Sequence, residues 1–249
     1  MKIIAFGDAH LDAKVGGYDL HTDAARALEH VGTACVEQAA DLRVMLGDMF
    51  HGNSPSPKAW ATFNRTLFES PILIIVVPGN HDHAAYDPVR EISMPPYSPS
   101  GISWNDAEGD ITNGVCCPKW PCIVDVGEQI KVLVVPYVHN PAAMEEFGRT
   151  AQEMVDMAFD EALKHGNEVK AAFCHLDVDG AKAGTEGAYL RGGKLQMPMD
   201  LAKRCPFPIL NGHIHRKQKM GNVYIPGSLV ATDFGDADGP TKGYAVVEV

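Results

Sequence analysis

Apolar residues fall in short blocks along this chain, and block after block ends in a turn carrying aspartate, asparagine or histidine. Residues 2–6 lead into Gly7-Asp8-Ala9-His10, and residues 42–46 into Gly47-Asp48-Met49-Phe50-His51. Residues 72–77 are six consecutive apolar residues, five of them Ile or Val, and lead into Pro78-Gly79-Asn80-His81-Asp82-His83. Residues 169–174 stop at His175, and residues 207–210 stop before Gly212-His213-Ile214-His215. Blocks of this length and composition predict strands covered on both faces.

Between the blocks the period changes. Ala24, Ala27, Leu28, Val31, Cys35 and Val36 recur at helical spacing, which predicts a helix capped by Thr22 or Asp23 and running through Ala40. A loop with Gly16-Gly17 precedes it. A second helix is expected through Phe68, and a helix-rich part over 141–165. Residues 122–126 and 130–135, joined by Gly127-Glu128, read as a hairpin, and residues 222–225 and 244–249 as closing strands. Residues 84–114 carry prolines and little periodicity and read as a long surface excursion. Residues 182–194 are glycine-rich, lack a P-loop pattern and read as a mobile loop. Strands alternating with helices give an α/β class. With no repeat or linker, residues 1–249 read as one domain.

Composition narrows the class. The hydrophobic fraction of 45% is ordinary for a soluble protein, and no apolar run approaches the ~20 residues of a membrane span. The first block is too short for a signal peptide, so a cytoplasmic protein without a membrane partner is expected. Its six cysteines are then not a disulfide framework. Cys35, Cys174 and Cys205 read as small core residues, and Cys116, Cys117 and Cys122 as free thiols in a loop or hairpin. A net charge of −11 argues against coating nucleic acid by bulk attraction, although it leaves room for a local cationic site.

In open α/β sheets, ligands bind beyond the carboxyl ends of the strands. The residues at those ends are Asp8, His10, Asp48, Asn80, His81, His175, His213 and His215. They supply two carboxylates, one carboxamide and five imidazoles, without cysteine. That donor set suits Mn, Fe, Zn or Co. Two divalent cations ~3.5–4 Å apart can clamp a phosphate and generate a hydroxide nucleophile.

Asp8-Ala9-His10, Gly47-Asp48, Gly79-Asn80-His81-Asp82, His175 and Gly212-His213-Ile214-His215 resemble, in order, the five motifs of calcineurin-like metallophosphoesterases. More narrowly, Asp8-Ala9-His10-Leu11, Gly47-Asp48-Met49-Phe50-His51 with Pro55-Ser56, Tyr224-Ile225-Pro226-Gly227-Ser228, Asp233-Phe234-Gly235-Asp236 and Lys242-Gly243-Tyr244 are similar to SbcD-type DNA repair nucleases. The Asp-Arg-Gly and Asn-His-Glu sequences of phosphoprotein phosphatases are absent.

The resemblance implies a four-layer αββα sandwich of two mixed β-sheets flanked by helices. It also implies two divalent ions, Mn2+ first among Mn, Fe, Zn, Co and Mg. Asp8, His10, Asp48 and His215 would hold one ion. Asp48, Asn80, His175 and His213 would hold the other, with Asp48 shared and a metal-bridging hydroxide as nucleophile. His81 would act on the phosphate or leaving oxygen, with its ring oriented by Asp82, and His51 would contact substrate. DNA and an SMC-like, SbcC-type ATPase are the implied partners, and a homodimer stays open.

The family's capping domain is not matched by this chain, so any grip on DNA must come from the core or a partner. Arg216, Lys217, Lys219, Arg191 and Lys194 could form a phosphate rim, or simply a solvated basic edge. His83 is close enough to the third motif to support the site, and His139 follows a strand end. His21, His30 and His165 read as solvent-facing. The leading expectation is a metal-dependent DNA exo- or endonuclease. The runner-up is a phosphatase or phosphodiesterase acting on nucleotides or other small phosphoesters. A non-catalytic scaffold would have no need of the full donor set.

Overall fold

A computed structural model describes residues 1–52, 54–82, 114–126, 130–183, 195–237 and 241–249. The excursion over 84–113, the glycine-rich loop from 184, and with them His83, Arg191 and Lys194, lie outside the described residues.

The first sheet has the order β13-β1-β4-β5-β6, built from Ala245–Glu248, Lys2–Phe6, Leu42–Met45, Leu73–Val76 and Val115–Cys116. Its pairs are parallel except β1 with β13. The second sheet has the order β11-β12-β10-β9-β8-β7, built from Gln218–Met220, Val223–Ile225, Ile209–Asn211, Val169–Cys174, Ile130–Val135 and Cys122–Val126. Here the β7–β8 and β11–β12 pairs are antiparallel and the others parallel, so both sheets are mixed. The Gly16-Gly17 stretch, expected as a loop, is the turn of a small hairpin, β2 (Lys14–Val15) with β3 (Tyr18–Asp19).

Alternation along each strand builds the layers. Ile3 and Ala5 of β1, with Leu42, Val44 and Ile75, face Val124, Val132, Val134, Ala171, Phe173 and Leu210 of the other sheet. Ile4 and Phe6, with Met45, Ile74 and Val76, face Ala24, Leu28, Val31, Cys35, Phe63 and Leu67. These last belong to α1 (His21–Glu37) and α2 (Pro57–Phe68). On the far side, Leu133, Val135, Ala172, Cys174, Ile209 and Val223 pack on Ala143, Met154, Val155, Ala158 and Phe159. Those residues come from α3 (Asn140–Phe147) and α4 (Ala151–His165). The result is helix, sheet, sheet, helix, the four-layer sandwich expected. Two-sided burial is why most positions of the strand blocks are apolar, with no polar residue at every second place.

Local chemistry explains the ends of some helices and corrects others. Thr150 and Glu153 form a reciprocal capping box at the start of α4. Ser56 caps α2 by accepting from the Ala59 N–H at 3.1 Å. Neither Thr22 nor Asp23 caps α1. The helix begins earlier, at His21, whose N–H donates to Asp19 Oδ1 at 2.8 Å, and it ends at Glu37.

His21 is also buried rather than solvent-facing. Its Nε2 lies 3.0 Å from Thr62 Oγ1, joining α1 to α2. His30 is exposed and His165 half-buried. Cys35, Cys174 and Cys205 sit in the cores. Cys116 and Cys117 are buried, and none of the six cysteines is in a disulfide. Cys116 on β6 and Cys122 on β7 border the inter-sheet core at the edges of the two sheets. No helix among the described residues is long and apolar enough to cross a membrane.

Candidate metal centre

The first sheet delivers Asp8 and His10 from the end of β1, Asp48 from β4, and Asn80 and His81 from β5. The second sheet delivers His175 from β9, and His213 and His215 from β10. Beyond the last strand residues the ladder continues: Asp8 N–H donates to Gly47 O at 2.8 Å and His10 N–H to Asp48 O at 3.0 Å. In the second sheet Gly212 N–H donates to Cys174 O at 2.9 Å. Tyr137 N–H reaches across to Pro78 O at 2.8 Å, tying the two sheets together at this edge.

The backbone leaves strand geometry where the motifs demand it. Asp8, His10, Asp48 and His213 all have left-handed φ, between 45° and 73°. Such a conformation costs a non-glycine residue about 1–3 kcal/mol and clusters at functional sites. Turning the chain at His213 lets it serve one group while His215 serves another.

Glycines make the close approaches possible. A side chain on Gly47 would run into the His175 ring, and one on Gly79 into the Asp48 carboxylate and N–H. Gly79→Ala is therefore expected to destabilise the protein by about 1–3 kcal/mol through overpacking and to weaken Mn2+ binding. Chemical denaturation and calorimetric metal titration check this. Wild-type stability with wild-type Mn2+ affinity would contradict it.

The described residues contain two groups of convergent donors, Asp8–His10–His215 and Asp48–His175–His213. All six are buried. In the first group, His10 Nε2 and His215 Nε2 are 3.1 Å apart, and His215 Nε2 is 4.0 Å from Asp8 Oδ1. In the second, His175 Nε2 lies 3.3 Å from Asp48 Oδ2 and 3.2 Å from Asn80 Oδ1. Asp48 Oδ2 is also 4.0 Å from His10 Nε2, so this carboxylate stands between the groups.

The donor chemistry fits cations. His175 Nδ1 lies 2.7 Å from Leu46 O, a pure acceptor, so Nδ1 carries the proton. Its Nε2 lone pair then faces a carboxylate and an amide oxygen, which only a proton or a metal ion between them makes favourable. Burial opposes charge on His175, but Asp48 outweighs it and lifts the imidazole to about 9. The proton does there what a cation would do. Burial also opposes the Asp48 charge, yet His175 and His10 hold the carboxyl below its ordinary range. Burial pushes Asp8 up and His10 well down, the cost of placing two charged groups away from water.

His81 lies beside the groups and belongs to neither. Its N–H donates to Asp48 Oδ1 at 2.9 Å, and its ring lies 5.2 Å from that of His10 and stacks on His51 at 5.8 Å. The expectation that Asp82 orients this ring is corrected. Asp82 is fully buried and accepts from the N–H groups of Met49, Phe50 and Gly79 at 3.3, 3.0 and 3.1 Å. It holds the second and third motif loops together. Burial and the Asp48 charge push its carboxyl up to about 7 against those donors. The His81 ring is held instead by His51 O, 3.2 Å from its Nδ1. His51 Nδ1 is 3.4 Å from His10 Nδ1, so His51 stands at the site.

Arg216, Lys217 and Lys219 follow directly after His215, and Lys219 Nζ sits over the Tyr224 ring at 4.6 Å. His139 packs edge-on to Tyr137 at 5.2 Å, and Tyr137 lies 6.5 Å from His213, which places His139 one ring away from the donors.

Several residues around the donors were not singled out from sequence. Asp177 Oδ1 is 3.5 Å from His213 Nε2. It follows His175 by two positions, the one local signal that could have found it. Asn211 accepts from Leu176 N–H at 3.0 Å and donates to Leu176 O at 2.9 Å, fastening the ends of β9 and β10. Thr232, which no sequence pattern marked, contacts His215, as does Asp236, whose stretch Asp233-Phe234-Gly235-Asp236 the family resemblance picked out without placing it beside that ring.

A family model described as calcineurin-like phosphoesterase matches residues 1–217. The DNA double-strand break repair protein Mre11 of Archaeoglobus fulgidus is 32% identical over 96 residues, which is 35% of this chain and 20% of that protein. The match thus spans about a fifth of that relative's length. Among solved structures, a dimetal phosphatase from Danio rerio superposes with a TM-score of 0.59 at 10% identity, over 99% of this chain and 91% of that one. The TT1561 protein of Thermus thermophilus superposes with a TM-score of 0.54 at 15% identity, over 91% and 89%. At such identities these two likenesses establish the fold. The family match over most of the chain and the two Asp/His groups agree, and the chain belongs to the calcineurin-like phosphoesterase family of metal-dependent hydrolases.

Proposed function

We propose that this protein cleaves phosphodiester bonds in DNA, as an exo- or endonuclease of the SbcD type using two divalent cations, with Mn2+ the first choice. The observation that carries two-metal hydrolysis is the convergence of two buried donor groups with Asp48 between them. Asp8, His10, Asp48 and His215 would hold one ion, and Asp48, Asn80, His175 and His213 the other. Bound there, the ions supply positive charge for the phosphate and activate water at neutral pH.

The chain's own groups do the rest. With its Nδ1 proton committed to His51 O, His81 exchanges protons through Nε2, the atom that would protonate the leaving oxygen. Asp82 keeps the loops bearing Asp48 and His81 in register through backbone hydrogen bonds. His51 and the exposed Arg216 would contact substrate phosphates at the mouth.

Support for DNA comes from the likeness to the Mre11 repair protein and from the cations that follow His215. An SbcC-type ATPase partner belongs to the same reading. The net charge of −11 favours a second reading, a phosphatase or phosphodiesterase for nucleotides and other small esters.

Linear duplex and single-stranded DNA, incubated with enzyme and Mn2+ beside a small phosphodiester, separate the two. The nuclease reading expects DNA digestion that a chelator stops. Turnover of the small ester at enzyme levels that leave DNA intact would remove it.

A further inference from the structure

His215 is gripped from behind by a segment that lies wholly beyond the family match at residue 217. While His215 Nε2 faces the donors, its Nδ1 lies 3.0 Å from Thr232 Oγ1 and 3.4 Å from Asp236 Oδ2. Asp236 is only 4% exposed. Its Oδ2 accepts from Ser228 Oγ, Thr232 N–H and Thr232 Oγ1 at 3.1, 3.1 and 3.3 Å. Its Oδ1 takes Lys242 Nζ at 2.6 Å. Lys242 also donates to Ser228 Oγ at 2.7 Å and to the His215 carbonyl at 3.1 Å. One lysine thus touches both the backbone of the donor histidine and the carboxylate behind its ring.

The other donor histidines with a contact behind the ring are held differently. His10 Nδ1 meets another imidazole, His51 Nδ1 at 3.4 Å, which gives it no fixed acceptor. In the second group His175 Nδ1 has the Leu46 carbonyl. The tautomer and ring direction of His215 therefore rest on Thr232 and Asp236, and through Asp236 on Ser228 and Lys242. The segment is itself anchored to the first sheet, since Leu229 N–H donates to Gly7 O at 3.0 Å beside Asp8.

We propose that Asp236, fixed by Lys242 and acting with Thr232, is a positioning residue for His215. It sets the cation affinity of the Asp8–His10–His215 group and leaves that of the Asp48–His175–His213 group unchanged. A carboxylate behind a ligating imidazole keeps the proton on the far nitrogen and the lone pair on the near one, and raises the basicity of that lone pair. The proposal rests on the dimetal reading above.

The test is calorimetric titration of the metal-free protein with Mn2+ alone, with metal-free melting recorded in parallel, for wild type, Asp236→Asn and Thr232→Val. Wild type is expected to take up two ions. Asp236→Asn, and more weakly Thr232→Val, are expected to lose about 10–100-fold in affinity for one ion and to keep the other. Thr232→Val carries the test if Asp236→Asn fails to fold. A role confined to stability would lower the melting temperature and weaken both ions together, or leave both unchanged, and either result overturns the proposal. A wild type that binds no pair of ions would overturn the dimetal reading and the clamp with it. A normal pair in wild type with unaltered variants would overturn the clamp alone.

Discussion

Replacing Asp48 by Asn is expected to remove both cations at once and to lower phosphoester hydrolysis by roughly 10³-fold or more, because the ions supply several kcal/mol of charge stabilisation. Asp48 is buried and its Oδ2 faces His175 Nε2 in one donor group and His10 Nε2 in the other. Its Oδ1 additionally accepts from the His81 N–H. A neutral amide keeps the volume, so the loop need not collapse, but it removes the negative charge that both groups share. Elemental analysis of the purified variant, beside its rate, is the check. Loss of a single ion, with the other held at wild-type affinity, would mean that Asp48 serves one group only.

His81→Ala is expected to behave in the opposite way, with turnover falling about 10²–10⁴-fold, the range for a positioned acid–base group, and metal content intact. The ring is half-buried beside the first group, and its contacts are to His51 O and the His10 and His51 rings. No donor atom of either group depends on it. Its backbone N–H, which does bind Asp48, survives the substitution. Loss of both ions in this variant would show that the ring holds the centre together and would cancel its assignment to proton transfer. The two variants together separate holding the ions from using them.

Much of the architecture was written locally. The blocks at 2–6, 122–126, 130–135 and 169–174 became strands with those bounds, because burial on both faces leaves a run dominated by apolar residues, interrupted only at Lys2, Asp125, Lys131 and Lys170. The motif residues at the block ends were equally visible, since a polar residue following such a run stands at the sheet's carboxyl edge. Elements without an apolar block were missed. The β2–β3 hairpin is mostly exposed, and β11, at a sheet edge, reads Gln-Lys-Met. The burial of His21 was invisible because its partner, Thr62, lies on another helix.

What the sequence determined by itself was the set of buried central strands, the donor types and their order along the chain. Tertiary structure decided which donors stand together, since His10 and His215 of one group meet across 205 positions and only the packing of two sheets brings them together. It decided the role of Asp82, whose three partners are backbone N–H groups that no side-chain pattern encodes. It also decided the grip on His215, because a carboxylate's partner is fixed by where the chain returns in space, and neighbours along the chain carry no record of that return.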